Sequence, residues 1–367
     1  MKIDVIDLKK RFKEESKDIL KLIKKVLTKG NLVLTAEVKN FEDQINIYTK
    51  TNYCLGLNSG TDALMMSLWA SGIGKGDEVI TSPISFIASA SSIIHVGAKP
   101  VFVDVGDDLN IDPELIERSI TKKTKAIMPV HWTGRICDMD RIKKIAKKYE
   151  LLIIEDAAQA MGAFYKKKHA GTFGDIAAFS THPLKNLNAL GDGGFIITNK
   201  KKLYEKIKLY RNHGLKGRDN VELIGVNSRL DSLHAEILTF RLKKLKSIIN
   251  RRTKNIKVYK ENIKTKKEKI IDENKNKNNA HVMFITLCED RDNLQKYLLK
   301  YKIQSLVYYK NPLHLHKATK FLGYKKGDFP KAEKICKKVL AFPHHQHLRK
   351  KEIIYVTKKI NEFYIKK

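Results

Sequence analysis

The run Leu151-Leu152-Ile153-Ile154-Glu155-Asp156-Ala157-Ala158-Gln159 is a short apolar segment that ends in two carboxylates and continues into small residues. An apolar run of this length, ended by polar residues, is typical of a buried strand in a parallel sheet. Ligands of open α/β sheets bind beyond the carboxyl ends of the strands, so Asp156 is placed where a ligand would lie. An aspartate at a strand end is also a common helix cap, and position alone does not separate the two roles.

Six further apolar runs of strand length alternate with helical segments, and this alternation is typical of an α/β fold. They are Tyr53 to Leu57, Glu78 to Thr81, Pro100 to Asp104, Ala126 to Val130, Asp175 to Ser180 and Gly194 to Thr198. The sequence therefore predicts a seven-stranded, mostly parallel sheet that is covered by helices on both faces. A helix is expected to begin near Thr61.

The chain divides by pattern into three parts. Residues 1–30 carry apolar side chains at helical spacing and predict a helix that packs with the C-terminal part. Residues 31–245 form the predicted large domain, and the helical pattern from Glu236 to Ile249 links it to the rest. Residues 246–367 predict a smaller α+β domain, with a strand over 281–287 and helices over 291–300 and 350–364. The Lys-, Glu- and Asn-rich run from Val258 to Asn279 is typical of a solvated surface.

The composition limits the class of protein. The 367 residues hold no long uninterrupted apolar stretch and no signal-peptide pattern at Met1, so we expect a cytoplasmic protein without a membrane contact. Four scattered cysteines, Cys54, Cys137, Cys288 and Cys336, indicate neither a disulfide framework nor a metal site.

The charge is strongly positive, with 72 Lys and Arg residues against 40 Asp and Glu residues and a formal net charge of +32. Such a value raises nucleic-acid binding as a hypothesis. The basic residues, however, are mostly lysines spread over the whole chain, without the interleaved aromatic residues of a single-strand binding surface. We therefore expect no nucleic-acid partner. The positive field favours an anionic small-molecule substrate instead.

Lys185 lies in the run Phe179-Ser180-Thr181-His182-Pro183-Leu184-Lys185-Asn186, between the strand that ends at Asp156 and the loop Gly191-Asp192-Gly193-Gly194. A lysine that forms a Schiff base needs surroundings that lower its pKa, and the cofactor of such a lysine needs an acid beside its ring nitrogen. Lys185 and Asp156 fit these two roles. The pattern indicates a pyridoxal phosphate enzyme.

Other residues fit contacts to the same cofactor. Ser59-Gly60-Thr61 joins a strand end to a helix start, where backbone N–H groups bind phosphate, and Ser180 adds a hydroxyl. Phe86 is a candidate to stack on the pyridine ring, and a core aromatic is the alternative. Gln159 is placed to bond the phenolic oxygen of the cofactor. The glycine loop 191–194 borders the substrate or a partner subunit, or it is a plain turn.

The ordered motifs resemble the DegT/DnrJ/StrS family of sugar aminotransferases, within fold type I of the pyridoxal phosphate enzymes. The resemblance runs nearly end to end. Besides the segments around Asp156 and Lys185, it includes Ser59-Gly60-Thr61-Asp62-Ala63-Leu64, Gly97-Ala98-Lys99-Pro100-Val101-Phe102-Val103-Asp104, Gly225-Val226-Asn227-Ser228-Arg229-Leu230-Asp231, Pro312-Leu313-His314 and Asp328-Phe329-Pro330-Lys331-Ala332-Glu333.

The resemblance implies a role for each matching residue. Lys185 matches the lysine that forms the internal aldimine with pyridoxal 5'-phosphate, and Asp156 matches the partner of the ring nitrogen. The other implied cofactor contacts are Ser59, Gly60, Thr61, Phe86, Gln159, Ser180 and Asn227. Asn227 matches a residue that reaches the phosphate from a neighbouring subunit, which implies a homodimer with shared active sites. His182, Arg229 and His314 match positions near the substrate.

The implied reaction moves an amino group from an amino acid, expected to be glutamate, through pyridoxamine phosphate to a keto-sugar linked to a nucleotide, in amino-sugar or surface-polysaccharide biosynthesis. The run from Lys185 to Asp192 is more similar to members that act at sugar C3 than to those that act at C4. One alternative is transfer to a small phosphorylated ketone. Another is a related sugar dehydratase, in which histidine replaces the Schiff-base lysine. A third is a basic regulatory protein whose catalytic motifs are relics.

Overall fold

A seven-stranded sheet forms the centre of the fold, which the computed structural model describes over residues 2–271 and 277–365. The strands in chain order are β1 (Tyr53–Leu57), β2 (Glu78–Thr81), β3 (Lys99–Phe102), β4 (Thr124–Met128), β5 (Leu152–Asp156), β6 (Phe164–Tyr165), β7 (Lys168–His169), β8 (Ile176–Ser180), β9 (Gly194–Thr198), β10 (Glu268–Ile270), β11 (Lys277–Asn278), β12 (Phe284–Cys288) and β13 (Val339–Phe342). The central sheet has the order β1-β9-β8-β5-β4-β2-β3. Only β9 runs antiparallel to its neighbours, so the predicted mostly parallel sheet is confirmed.

Helices cover the sheet and build the rest of the fold. They are α1 (Leu8–Thr28), α2 (Ala36–Thr49), α3 (Gly60–Ala70), α4 (Ala88–His95), α5 (Pro113–Ile116), α6 (Met139–Lys148), α7 (Lys201–Tyr210), α8 (Ser232–Leu242), α9 (Leu245–Asn262), α10 (Arg291–Lys300), α11 (Pro330–Lys338) and α12 (Lys350–Ile365). Apolar side chains of α2, α6 and α8 pack on one face of the sheet, and those of α3, α4 and α7 pack on the other. The strands between them are therefore buried on both faces, except for the edge strand β3, where Lys99 is exposed.

A second, three-stranded sheet of β10, β12 and β13 lies in the C-terminal part, and α9, α10 and α12 pack against it. The segment before α1 joins this part, because the Ile3 N–H donates to the Lys302 carbonyl over 2.9 Å. Helix α1 itself packs on α8 of the larger part. The predicted domain boundaries at residues 30 and 245 stay a prediction.

Several element bounds differ from those the sequence predicts. The strand predicted to end at Asp104 ends at Phe102 instead, because the Asp104 carboxylate accepts the N–H groups of Lys331 and Ala332 in the first turn of α11, each over 2.9 Å. The strand predicted from His281 begins at Phe284, since His281 has a left-handed backbone with φ of 50°.

The helical pattern from Glu236 to Ile249 predicted one continuous helix, and this prediction is wrong. Helix α8 ends at Leu242 and α9 begins at Leu245. Both leucines are buried, so the apolar spacing continues through the break and carries no sign of it. Within the described ranges 2–271 and 277–365, no helix is long and apolar enough to cross a bilayer.

Candidate active site

The carboxyl ends of β5 and β8 meet the N-terminus of α3, and this edge collects most of the predicted site residues. Asp156 ends β5 and Ser180 ends β8. Gly194, the first residue of β9, pairs with Ser180 on one side and with Leu57, the last residue of β1, on the other. The topology therefore brings residues that are far apart in sequence to one edge, as expected for an open α/β sheet.

The N-terminus of α3 forms a cradle for an anion. The Ser59 hydroxyl accepts the Asp62 N–H over 3.0 Å and caps the helix, which leaves the N–H groups of the first turn directed out of the helix end. A Cβ on Gly60 would lie 2.8 Å from Ser180 Cβ, and one on Gly194 would lie 2.4 Å from the Ser59 carbonyl oxygen. Glycine at these two positions lets the Ser180 hydroxyl and the helix end share one small space.

Asp156 is a buried carboxylate with few protein partners. Its Oδ2 accepts the Ser89 hydroxyl over 2.6 Å, and its Oδ1 accepts the Ala158 N–H over 3.2 Å. Burial raises the pKa of Asp156, while the bonds from Ser89 and Ala158 and the charge of Lys185 lower it. A positive charge beside this carboxylate would favour its ionised form.

The amino group of Lys185 lies close enough to Asp156 for each charge to act on the other. A tight turn presents the lysine, because its backbone N–H donates to the His182 carbonyl over 2.8 Å. Burial lowers the pKa of Lys185 from 10.5 to about 8, and the charge of Asp156 opposes that shift. About one amine in ten is therefore uncharged at pH 7, far more than for an exposed lysine, and this form can attack a carbonyl.

Gln159 and Phe86 lie beside this pair. The Gln159 side-chain oxygen accepts the Thr133 N–H over 2.8 Å, which leaves its amide NH2 to donate, and the Tyr309 phenol is one acceptor for it. Phe86 is 57% exposed, and its ring centroid lies 6.4 Å from that of Tyr309. This exposure favours the stacking role over the core alternative, because a core aromatic would be covered.

Tyr309 is a site residue that the sequence did not indicate. Its phenol hydrogen-bonds Gln159 and lies near Asp156, and burial raises its pKa, so the hydroxyl stays protonated. The residue belongs to a loop of the C-terminal part, more than 100 positions after Lys185. No local motif marks it, and only the packing of that loop against the sheet edge brings it to the site.

The predicted residues Asn227 and Arg229 lie in the loop after α7. Asn227 is exposed, and its amide oxygen accepts the Arg229 Nε–H over 2.9 Å. Arg229 also lines an open pocket of about 400 Å³ beside the cap of α3. That pocket is lined by Asn58, Ser59, Asp62, Asp192, Arg229, Leu230, Asp231 and His234.

The two predicted histidines have different surroundings. His182 is exposed and close to Lys185, and its Nδ1 accepts the Leu184 N–H over 3.2 Å. His314 is fully buried, its Nε2 lies 3.2 Å from Glu333 Oε1, and its ring packs on Phe329. The structure thus brings His182 to the site edge and gives His314 a covered position in the C-terminal part.

Two buried networks of hydrogen bonds and ion pairs support the site, and the sequence predicted neither of them. His131 Nε2 lies 2.8 Å from Glu155 Oε2, and Glu155 also accepts the N–H groups of Gly171, Phe173 and Gly174, which fixes the end of β5.

Behind the lysine turn, Glu15 of α1 bonds Arg11 and Arg241. The Arg241 guanidinium in turn donates to the carbonyls of Asn188 and Ala189 over 2.7 and 3.1 Å. This contact clamps α1 onto the loop that carries Lys185.

Comparison with known proteins gives the family of the chain. Residues 13–361 match the family model described as "DegT/DnrJ/EryC1/StrS aminotransferase family". The chain belongs to this family. The resemblance predicted from the motifs is confirmed, and so is the aminotransferase class of enzyme that it implied.

Two relatives are 39% identical to this chain. One is the "dTDP-3-amino-3,6-dideoxy-alpha-D-galactopyranose transaminase" of Aneurinibacillus thermoaerophilus, with 98% of this chain and 99% of the relative covered. The other, from Geobacillus stearothermophilus, is named "Pleiotropic regulatory protein", with 99% of both chains covered.

Solved structures share the fold over nearly the full length. A structure of DesV from S. venezuelae in complex with a ketimine intermediate has a TM-score of 0.96 and 34% identity, and it covers 99% of this chain and 98% of its own. The PLP-form of the sugar aminotransferase Spr1654 from Streptococcus pneumoniae has a TM-score of 0.90 and 27% identity, with coverage of 95% and 96%. The predicted α/β, fold type I architecture is confirmed.

Proposed function

We propose that this protein is a pyridoxal phosphate-dependent aminotransferase that moves the amino group of an amino acid to a nucleotide-linked keto-sugar. One observation carries the proposal: Lys185 and Asp156 lie near enough at the sheet edge for their charges to interact, beside the N-terminus of α3. A Schiff-base lysine, a partner for the ring nitrogen and a phosphate cradle are the three protein groups that this cofactor requires.

The described residues fit the cofactor in chemistry and position. The N–H groups of Gly60 and Thr61 and the hydroxyls of Ser59 and Ser180 would hold its phosphate. Asp156 would hold the ring nitrogen, Gln159 the ring oxygen, and Phe86 one ring face. The bound cofactor supplies an electron sink for the carbon that loses or gains a proton.

Residues of the chain itself have separate roles in the proposed reaction. Asp156 stabilises positive charge at the ring nitrogen, because an opposite charge in a buried site favours the protonated form. The Lys185 amine, with its lowered pKa, takes a proton from the donor carbon and returns it at the cofactor-side carbon. Tyr309, whose phenol lies near Asp156 and Gln159, would border the ring on the same side as Phe86.

The names of the relatives support the substrate class. Relatives over nearly the full length are named as transaminases of dTDP-linked sugars, and another is named "UDP-N-acetyl-3-dehydro-alpha-D-glucosamine 3-aminotranferase". In these names the amino group of the relative's sugar is on C3. The run from Lys185 to Asp192 in this chain favours the same carbon. We therefore propose a 3-keto-sugar nucleotide as acceptor and glutamate as donor, for a pathway that makes amino sugars of surface polysaccharides.

The alternatives have less support. Lysine stands at position 185 and its charge interacts with that of Asp156, whereas the dehydratase branch carries histidine at this position. One relative is named "Pleiotropic regulatory protein", and this name is the support for a regulatory role. The interacting charges of Asp156 and Lys185 support the enzyme instead. A regulator with relic motifs has no need for a buried lysine of lowered pKa.

We also propose a homodimer with shared active sites. The loop that holds Asn227 exposes apolar side chains to solvent, with Ile224 91% and Val221 55% exposed. Exposed apolar groups of this kind mark protein interfaces. Asn227 points from the same loop, so a second subunit seated there would receive it.

The test is a single-turnover reaction of the protein loaded with pyridoxamine phosphate. Candidate acceptors are a dTDP-linked 3-keto-sugar, its 4-keto isomer and a small phosphorylated ketone such as dihydroxyacetone phosphate. We expect the 3-keto-sugar nucleotide to gain an amino group, seen by mass spectrometry, and the other two to react at least about tenfold more slowly. Preferential amination of the small ketone would replace the proposed substrate class.

A further inference from the structure

A small cavity lies beside Lys185, between the start of the N-terminal helix, α9 and residues 345–347 of the C-terminal part. It has a volume of about 10 Å³, enough for one water-sized particle. Its charged lining consists of Arg11, Lys185 and Arg252 with the carboxylate of Asp7, and the imidazoles of His345 and His347 complete the polar wall.

Arg252 is a buried cation whose described bonds all go to neutral groups. It is 2% exposed, and its guanidinium donates to the carbonyls of His281 and Val282 and to the Gln346 side-chain oxygen. Burial and the charge of Arg11 lower the pKa of Arg252 to about 9, and no carboxylate opposes them. A guanidinium buried without a counter-ion is unfavourable, which points to an anion beside it.

Other nitrogen atoms that line the cavity also lack a hydrogen-bond partner within the described ranges, so an anion would suit them too. Arg11 is 4% exposed and shares Glu15 with Arg241, and its second terminal nitrogen has no hydrogen-bond partner among residues 2–271 and 277–365. Within those residues Arg252 Nε and His345 Nδ1 are also unpartnered.

The carboxylates near the cavity are already engaged. Asp7 accepts the Lys10 N–H at the start of α1, over 2.8 Å. Glu14 lies 3.0 Å from His347 Nδ1. Neither bonds Arg252.

We propose that this cavity binds one compact monovalent anion, held between the guanidinium groups of Arg252 and Arg11 and bordered by the lysine turn. Two sources offer that chemistry. One is a free halide such as chloride, and the other is a carboxylate oxygen of the amino donor, which reaches the cavity from the side of Lys185. The second source rests on the proposed function, whereas the first does not.

A bound anion would join three parts of the chain. Arg11 belongs to α1, Lys185 to the loop after β8, and Arg252 to α9, which continues into the C-terminal part. An ion shared by Arg11 and Arg252 replaces the repulsion between these two guanidinium groups with attraction. Binding of an anion in the cavity would therefore stabilise the packing of α1 on the loop that carries Lys185.

The decisive experiment is anomalous diffraction from crystals of the wild-type protein. Crystals are grown without halide or carboxylate, with sulfate as the counter-ion, and are soaked in sodium bromide. We expect one ordered bromide peak among Arg11, Lys185 and Arg252. Bromide on surface lysines only, or density in the cavity without anomalous signal, would overturn the proposal.

A second soak separates the two sources. Bromide is added together with glutamate to the protein that holds its cofactor. Loss of the bromide peak with carboxylate density in its place assigns the site to the donor, and a retained peak assigns it to a free halide. Because the first soak does not depend on transamination, failure of the proposed function leaves it interpretable.

Thermal unfolding in bromide against sulfate, at fixed ionic strength, gives the solution test. The wild type should gain stability with bromide, and Arg252→Met should weaken the apparent bromide affinity at least about tenfold. Arg251→Met is the matched control, since Arg251 is exposed on the same helix. Equal bromide responses in all three proteins would contradict the site.

Discussion

At the scale of single residues, the site depends on how burial and charge set the protonation of Lys185 and Asp156. Burial raises the pKa of the acid and lowers that of the amine, and each charge opposes the shift of the other. The pair thus combines a nucleophile that is partly uncharged near neutral pH with an acid that a cationic ring would ionise. Neither residue alone has this property.

Replacement of Asp156 by Asn should lower the pKa of Lys185 further. The wild-type pKa is about 8, and Asp156 is the group that raises it against burial. The uncharged amine is therefore lost as pH falls through about 8 in the wild type, and at a lower pH in Asp156→Asn. The measurement is the rate of Lys185 acylation in the cofactor-free protein against pH, followed by peptide mass spectrometry. A midpoint near 10.5 in both proteins would show that the amine is not buried as described.

Replacement of Gly60 by Ala should weaken cofactor binding. The new Cβ would lie 2.8 Å from Ser180 Cβ, so the helix end and the serine must separate. We expect the dissociation constant for pyridoxal phosphate to rise about tenfold or more, equivalent to about 1.4 kcal/mol. Gly74→Ala is the control, because its Cβ would meet only the Val96 carbonyl at 3.6 Å. Equal affinities in the two variants would contradict the cradle.

At the scale of elements, apolar runs predicted the strands of the central sheet because those strands are buried on both faces. The sequence also placed Asp156, Ser180 and the start of α3 at strand ends, and the sheet order brings them together. The break between α8 and α9, from Leu242 to Leu245, could not be predicted from the sequence because the apolar spacing continues through it. Tyr309 and the Glu15 clamp were missed because both depend on contacts between distant segments, which no local pattern records.

The clamp of α1 on the lysine loop should be a large contributor to stability. Glu15→Gln removes the one carboxylate that Arg11 and Arg241 share, and it leaves two buried cations together. Breaking a buried pair of this kind costs about 3–5 kcal/mol of the free energy of unfolding. Glu14→Gln, at the neighbouring half-exposed position, should cost less than about 1 kcal/mol. Urea unfolding of both variants measures the loss of unfolding free energy. Similar losses would mean that the buried Glu15 carboxylate stabilises the protein no more than the half-exposed Glu14.

At the scale of the whole molecule, the proposed dimer explains why a loop with exposed Ile224 and Val221 carries a cofactor ligand. An exposed apolar loop would be a liability on a monomer. Seated on a second subunit, the same loop would bury its apolar side chains and deliver Asn227. Arg229 fixes the oxygen of the Asn227 amide, which leaves the NH2 to donate to a phosphate.

Hybrid dimers test the shared site. Lys185→Ala and Asn227→Ala should each be strongly impaired alone. When equal amounts are unfolded and refolded together, about a quarter of wild-type activity should return, because half of the dimers are hybrids with one intact site each. No recovery, although hybrids are detected by native mass spectrometry, would mean that each site uses the Asn227 of its own chain.

The central claim is that Lys185 and its surroundings form a working pyridoxal phosphate site. The most direct test is the near-ultraviolet and visible spectrum of the purified protein with pyridoxal phosphate, before and after glutamate, beside Lys185→Ala. We predict a visible band of lysine-bound cofactor in the wild type that glutamate converts to the pyridoxamine phosphate band, and neither event in the variant. A wild type without the visible band, or a variant that glutamate converts at the wild-type rate, would contradict the account.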